Sequence, residues 1–219
     1  MTSLEEFDRG WLATLEKTPV AKAIIGLAGL TRIGERPASL DRLTAIVGQS
    51  RDATATLLRN EFTVRIEGDS IYWDDPFPGD QVRRMLYVGD REIPMRSGCA
   101  PDLFVYAAVL DVPFHVEENC PTTGVPIRVS FIPNGYTHVE PTETVTALLA
   151  VDDLRAVTGG TMDTINAQLC RYQPFFASAE AVAPWLDARP GSRVFTIKDM
   201  FERSWVTHYR DTIRPLIHN

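Results

Sequence analysis

The sequence predicts an α+β protein in two parts: a winged-helix-like helical unit over residues 1–80, then a mixed or antiparallel sheet domain with packed helices over residues 81–219. Three observations predict it. Apolar residues recur at helical spacing through much of the first part. A Pro/Gly/Asp-rich linker, Asp74-Asp75-Pro76-Phe77-Pro78-Gly79-Asp80, marks a boundary. Beyond it, short strand-like runs arrive as successive hairpins. With 219 residues, 44% of them apolar, the chain is long enough to bury a core.

The elements follow in order. Leu4 to Leu15 and Val20 to Leu30 carry helical spacing. Ser39 caps Leu40 to Val47 and, after Gly48-Gln49, Ser50 caps Arg51 to Arg59. Phe62 to Ile66 and Ile71 to Trp73 flank Glu67-Gly68-Asp69-Ser70 as a hairpin, which completes the winged-helix pattern. Past the linker, Met85 to Val88 and Glu92 to Met95 form strands around Gly89-Asp90. Cys99-Ala100-Pro101-Asp102 opens a short buried helix through Leu103 to Leu110. Strands are predicted at Phe114 to Glu117, Pro126 to Ile132, Thr137 to Glu140 and Val145 to Val151. Thr161 to Leu169 is helical and ends at Cys170, and Phe175 to Ser178 is a strand. Ser178 caps Ala179 to Leu186, Arg193 to Ile197 is a strand, and Lys198 to Leu216 is one closing helix.

Charge narrows the function. A net charge of −7 argues against general affinity for nucleic acid or anionic membrane. Residues 1–80 hold 9 Lys and Arg against 13 Asp and Glu, a net of −4. The helix that would read DNA offers only Arg51 and Arg59, too few cations to neutralise a phosphate backbone. That unit therefore reads as a packing module. No apolar run reaches transmembrane length, and the acidic start lacks the features of a signal peptide, so a cytoplasmic protein with free thiols is expected. Phosphate-loop, dinucleotide, zinc-protease and nucleophile-elbow motifs are missing. His115, His138, His208 and His218 are scattered and read as surface or core residues.

The chemistry is left to Cys99, Cys120 and Cys170. A lone cysteine is ordinarily a small buried hydrophobe. Cys99 and Asp102, however, stand three residues apart at a helix start, on one face, where free N–H groups favour a thiolate. Cys170 lies at an element end, where a side chain can face a site. Cys120 sits in a Pro-Thr-Thr-Gly turn, a structural setting. Soft sulfur beside a proton-carrying carboxylate suits chemistry at a soft metal ion.

These segments resemble the organomercurial (alkylmercury) lyases. Gly98-Cys99-Ala100-Pro101-Asp102 is similar to their Cys-Ala-Leu-Asp segment, and Asn119-Cys120-Pro121-Thr122-Thr123-Gly124-Val125-Pro126 to their Cys-x-x-Thr-Gly-x-Pro loop. Val139-Glu140-Pro141 recurs at a comparable distance, and Cys170 with Phe175-Phe176-Ala177-Ser178 resembles their second active-site cysteine and its tail. The resemblance implies that Cys99 and Cys170 bind mercury, that Asp102 carries the proton, and that Cys120 is structural. It implies cleavage of a carbon–mercury bond to a hydrocarbon and Hg(II), with no organic cofactor and no resident metal. Cellular thiols or mercuric reductase would accept the ion. Three positions depart from the pattern: Gly98 replaces an aromatic residue, Pro101 a leucine, and Arg171 a small residue or cysteine. Two alternatives stay open. One is a relative with the same fold that binds a soft metal such as Cu(I) or Hg(II) or acts on another substrate. The other is a metal-sensing winged-helix regulator.

Overall fold

Side-chain oxygens of Ser39, Ser50 and Ser178 begin helices, as the sequence predicts. The computed structural model describes residues 3–157 and 161–218. Ser3 opens α1 (Leu4–Glu16) in a capping box with Glu6, and proline stands in the first turn of α2 (Pro19–Thr31). After β1 (Ala38–Ser39), Ser39 accepts the Arg42 N–H to start α3 (Leu40–Val47). Ser50 accepts the Ala53 N–H to start α4 (Arg51–Glu61). β2 (Val64–Glu67) and β3 (Ser70–Trp73) then form the expected hairpin, and β3 also pairs β1, giving a three-stranded antiparallel sheet.

A second sheet carries the site. It comprises β4 (Arg84–Val88), β5 (Arg91–Met95), β6 (Phe114–Asn119), β7 (Pro126–Ile132) and β8 (Gly135–Glu140) in the order β5-β4-β6-β7-β8. Burial alternates along β7, so Ile127, Val129 and Phe131 face the core. Between β5 and β6 runs α5 (Ala100–Val109), buried at every position except Asp102. A helix with almost no polar face belongs in the interior. There the Phe104 ring meets Phe131 edge-on, with centroids 5.4 Å apart. A third sheet orders β9 (Val145–Leu148) between β10 (Phe175–Phe176) and β11 (Arg193–Thr196). All described strand pairs are antiparallel, which decides between the antiparallel and mixed alternatives.

Two expectations are corrected. The strand predicted through Val151 ends at Leu148, and α6 (Val151–Val157) follows, with Asp152 and Asp153 in a first turn where carboxylates are favoured. The single closing helix is three: α9 (Ile197–Phe201), α10 (Ser204–Thr212) and α11 (Arg214–His218). Arg203 leaves helical geometry at ψ 136° and turns its guanidinium inward to Asp8, 3.3 Å away. Pro215 cannot continue the ladder and falls in the first turn of α11. The remaining helices are α7 (Met162–Gln168) and α8 (Ala179–Asp187), the latter capped by Ser178 as expected.

The first 80 residues are stitched to the rest. The Trp11 indole donates to the Leu149 carbonyl at 3.0 Å, and the Arg91 guanidinium donates to the Arg32 and Ile33 carbonyls at 2.7 and 2.9 Å. Buried apolar residues of both parts join one cluster. Among the described residues, no helix is long and apolar enough to cross a membrane.

Candidate active site

Gly98 swings the chain into α5 at φ +84°, a left-handed conformation that glycine adopts without strain from a Cβ. Its N–H donates to the Asn166 side-chain oxygen on α7 at 3.2 Å. Cys99 then occupies the N-cap with extended backbone, and Asp102 the third helical position. The Asp102 Oδ2 accepts the Cys99 N–H at 2.7 Å. This bond satisfies a donor that every helix start leaves open and holds the carboxylate beside the thiol.

Cys170 arrives from a distant part of the chain, at the head of a 3-10 turn, Cys170–Tyr172, after α7. The segment behind it is pinned on several sides. The Gln173 carbonyl accepts the Ala100 N–H at 2.8 Å, which ties it to the first turn of α5. The Gln173 Oε1 accepts the Leu149 N–H at 3.1 Å, and the Thr146 hydroxyl donates to the Pro174 carbonyl at 3.2 Å. The Phe175 N–H donates to Glu118 at 2.5 Å. Held this way, the ligand atoms of Cys99, Asp102 and Cys170 lie within 4.8 Å of one another.

Both sulfurs are buried, at 3% exposure for Cys99 and 6% for Cys170. Burial pushes the Cys99 thiol well above its ordinary pKa, and the adjoining Cys170 and Asp102 add to the rise. The expectation that a helix start favours a thiolate at Cys99 is therefore corrected. Removing an anion from water outweighs the partial charge of one helix end. Burial also raises the Asp102 carboxyl, against the opposing pull of the Cys99 N–H and thiol and of Arg84. The resting site is thus protonated at Cys99, with a carboxyl beside it that holds protons more firmly than one in water.

Sequence reasoning missed the groups behind this cluster. Arg84 and Glu118 face each other in register on β4 and β6 and form an ion pair at 2.6 Å, each side chain 3% exposed. The burial alternation of β4 puts Arg84 on the inward face with Leu86 and Val88, so starting that strand at Met85 concealed it. Gln173 and Asn166 gave no local signal.

Cys120 stands apart, buried in the β6–β7 loop. Burial raises its thiol pKa, but hydrogen bonds from the Thr123 hydroxyl and from the Ala177, Thr122 and Thr123 N–H groups turn the net shift downward. The loop closes through Cys120 N–H to Val125 carbonyl and Gly124 N–H to Cys120 carbonyl, each 2.8 Å. His115 stacks on Tyr87, His138 lies beside Glu140, His208 beside Glu16, and His218 donates to the Val109 carbonyl. Two soft sulfur donors with a carboxylate at their side suit a thiophilic cation and a proton transfer beside it.

Comparison with known proteins gives one family throughout. The family model described as MerB, alkylmercury lyase, matches residues 92–207. An alkylmercury lyase of Bacillus cereus is 33% identical over 119 residues, which cover 53% of this chain and 50% of that protein. One of Pseudomonas putida is 26% identical over 180 residues, 76% of this chain and 74% of that protein. The chain thus spans about half the length of the Bacillus relative where the two match. A solved structure described as the mercury-bound form of MerB2 superposes with a TM-score of 0.57, at 16% identity, over 97% of this chain and 99% of its own.

Proposed function

The chain belongs to the alkylmercury lyase family, and we propose that it cleaves carbon–mercury bonds by protonolysis, with Cys99 and Cys170 as mercury ligands and Asp102 as proton carrier. The observation that carries this reading is the grouping of two buried sulfurs and a carboxylate within 4.8 Å.

An organomercurial R–Hg–X enters as substrate. The Cys99 sulfur forms a bond to mercury as X departs with the thiol proton. Cys170 adds as second sulfur ligand, and its proton passes to Asp102. Sulfur donation weakens the carbon–mercury bond. Asp102 then returns the proton to the carbon, giving R–H and Hg(II) held by two thiolates. A carboxyl held up by burial is suited to this task, because it can take a thiol proton and still carry it to carbon. Cys120 serves structure, fastening the β6–β7 loop to the chain near Ala177. Product Hg(II) leaves by exchange onto cellular thiols or onto mercuric reductase. The acidic N-terminal part, residues 1–80, serves as a winged-helix-like packing module without a nucleic-acid role, and the protein works in the cytoplasm.

Turnover of an arylmercury salt in excess thiol, with the released arene followed by chromatography, tests the reading. Arene from wild type and none from Asp102→Ala, with Hg(II) still bound by the variant, is the expected result. Mercury binding without arene release in wild type would reduce the protein to a soft-metal binder.

A further inference from the structure

Both sulfurs of the dithiol are buried, so an organomercurial reaches them only when a covering element moves. Most of the surroundings are tightly held. α5 is buried at nine of its ten positions. The Gln173–Phe175 segment is fixed by hydrogen bonds to Ala100, Leu149, Thr146 and Glu118. Met95 and Phe77, both fully buried, close on Gly98, with side-chain carbons 3.4 and 3.7 Å from the point a Cβ there would occupy.

α7 is the exception. It buries one of its seven residues, Ile165, while Asp163, Ala167 and Gln168 are exposed. Leu169 and Cys170 follow it directly, so the second thiol rides on its C-terminal end. Two side-chain oxygens tie it down. At its start the Met162 N–H donates to the Glu61 Oε2 of α4 at 2.7 Å. In its middle the Asn166 Oδ1 accepts the Gly98 N–H at 3.2 Å. α7 thus reaches from the residue before Cys99 to Cys170 itself. An element with so little buried apolar surface opens at lower cost than the core around it.

We propose that α7 is the gate through which substrate reaches the dithiol, latched by Asn166 on Gly98 and by Glu61 on Met162, an inference that rests on reading Cys99 and Cys170 as mercury ligands. Gln173 is the fixed point behind the gate. α7 swings about it, carrying Cys170 away from Cys99, and closure restores the grouping of both sulfurs and Asp102 within 4.8 Å. The Glu61 latch gives the N-terminal unit a part in the site, because α4, too poor in cations to read DNA, holds the gate shut.

The test alkylates the full chain with iodoacetamide under native conditions. Initial rates at Cys99, Cys170 and Cys120 are read separately by peptide mass spectrometry. Cys120 is as buried as Cys99, 2% against 3% exposed, and belongs to the β6–β7 loop, so it serves as internal control. Asn166→Ala and Glu61→Ala should each raise the rates at Cys99 and Cys170 about tenfold over wild type, with Cys120 unchanged. Asn166→Asp keeps an oxygen for the Gly98 N–H and should label like wild type. Unchanged rates at either active-site thiol, or an equal rise at all three cysteines, overturn the proposal. Hydrogen exchange of wild type gives a reading that needs no variant. The Ile165 and Leu169 amides, bonded to the Thr161 and Ile165 carbonyls, should exchange through an opening that leaves α5 protected. Exchange of α7 and α5 only together overturns the gate. Labelling needs no mercury, so a gated protein that releases no arene in the turnover assay keeps the gate and loses the lyase. Arene release without gating does the reverse.

Discussion

At Cys99, burial and the helix start pull the thiol in opposite directions, and burial wins. The Cys99 proton leaves with X in the proposed reaction, and Asp102, which takes the second thiol proton, is fastened beside the sulfurs by the Cys99 N–H at 2.7 Å. Cys99→Ser and Cys170→Ser should each lower turnover of an arylmercury salt by at least a hundredfold, because a hydroxyl is a poor ligand for a soft ion. Equilibrium dialysis should show weakened Hg(II) retention in the same two variants. Asp102→Asn keeps an oxygen for the Cys99 N–H, so it should hold Hg(II) like wild type yet release no arene. Cys120→Ser should behave differently. Replacing a buried, multiply hydrogen-bonded thiol should cost about 1–2 kcal/mol in denaturant unfolding and leave kcat within a few-fold. Near-complete loss of turnover in a folded Cys120→Ser protein would refute its structural role.

At the scale of elements, strand register and helix caps position the groups. Arg84 and Glu118 meet only because β4 and β6 pair Arg84 with Glu118, and Glu118 then holds β10 through the Phe175 N–H. Glu118→Ala strands a buried guanidinium and loosens that tie, so it should destabilise the fold by about 3–5 kcal/mol in urea titrations. In the N-terminal unit, Asp69 accepts from the Ser39 hydroxyl at 2.7 Å, from the Arg51 guanidinium at 3.0 Å and from the Asp41 N–H at 2.9 Å. Led by the Ser39 bond, these hold its carboxyl below the ordinary range. A folded-state pKa that is lowered stabilises the protein above the ordinary carboxylate value and stops doing so as pH falls through the folded value. Thermal melts of Asp69→Asn should therefore lie below wild type near neutral pH and converge with it as pH falls below the ordinary carboxylate range.

Across the whole molecule, the apolar core is continuous from α1 to α11, and polar ties such as Arg32 to Asp111 at 2.9 Å cross the linker. Such a chain should unfold in one transition, with fluorescence and circular dichroism midpoints coinciding. A first transition confined to residues 1–80 would contradict a shared core. The same acidic part should not be retained on DNA even at low salt, given its net of −4 from 9 cations and 13 anions.

Local chemistry made much of this protein legible before any fold was known. Ser39, Ser50 and Ser178 announce helices because a side-chain oxygen satisfies N–H groups three residues on, and Cys99 and Asp102 sit together because helical spacing demands it. The short-range segments around Cys99, Cys120 and Cys170 also carry the family resemblance. Only the tertiary structure decided which distant groups meet: Cys170 with Cys99, Arg84 with Glu118, Gln173 with Ala100 and Leu149, Arg203 with Asp8. It also broke the closing helix, since turning Arg203 toward Asp8 outweighed local helical preference. Burial, likewise invisible in a string of residues, reversed the charge state expected of Cys99. Local hydrogen bonds depend on neighbours in sequence, whereas desolvation and ion pairing depend on neighbours in space.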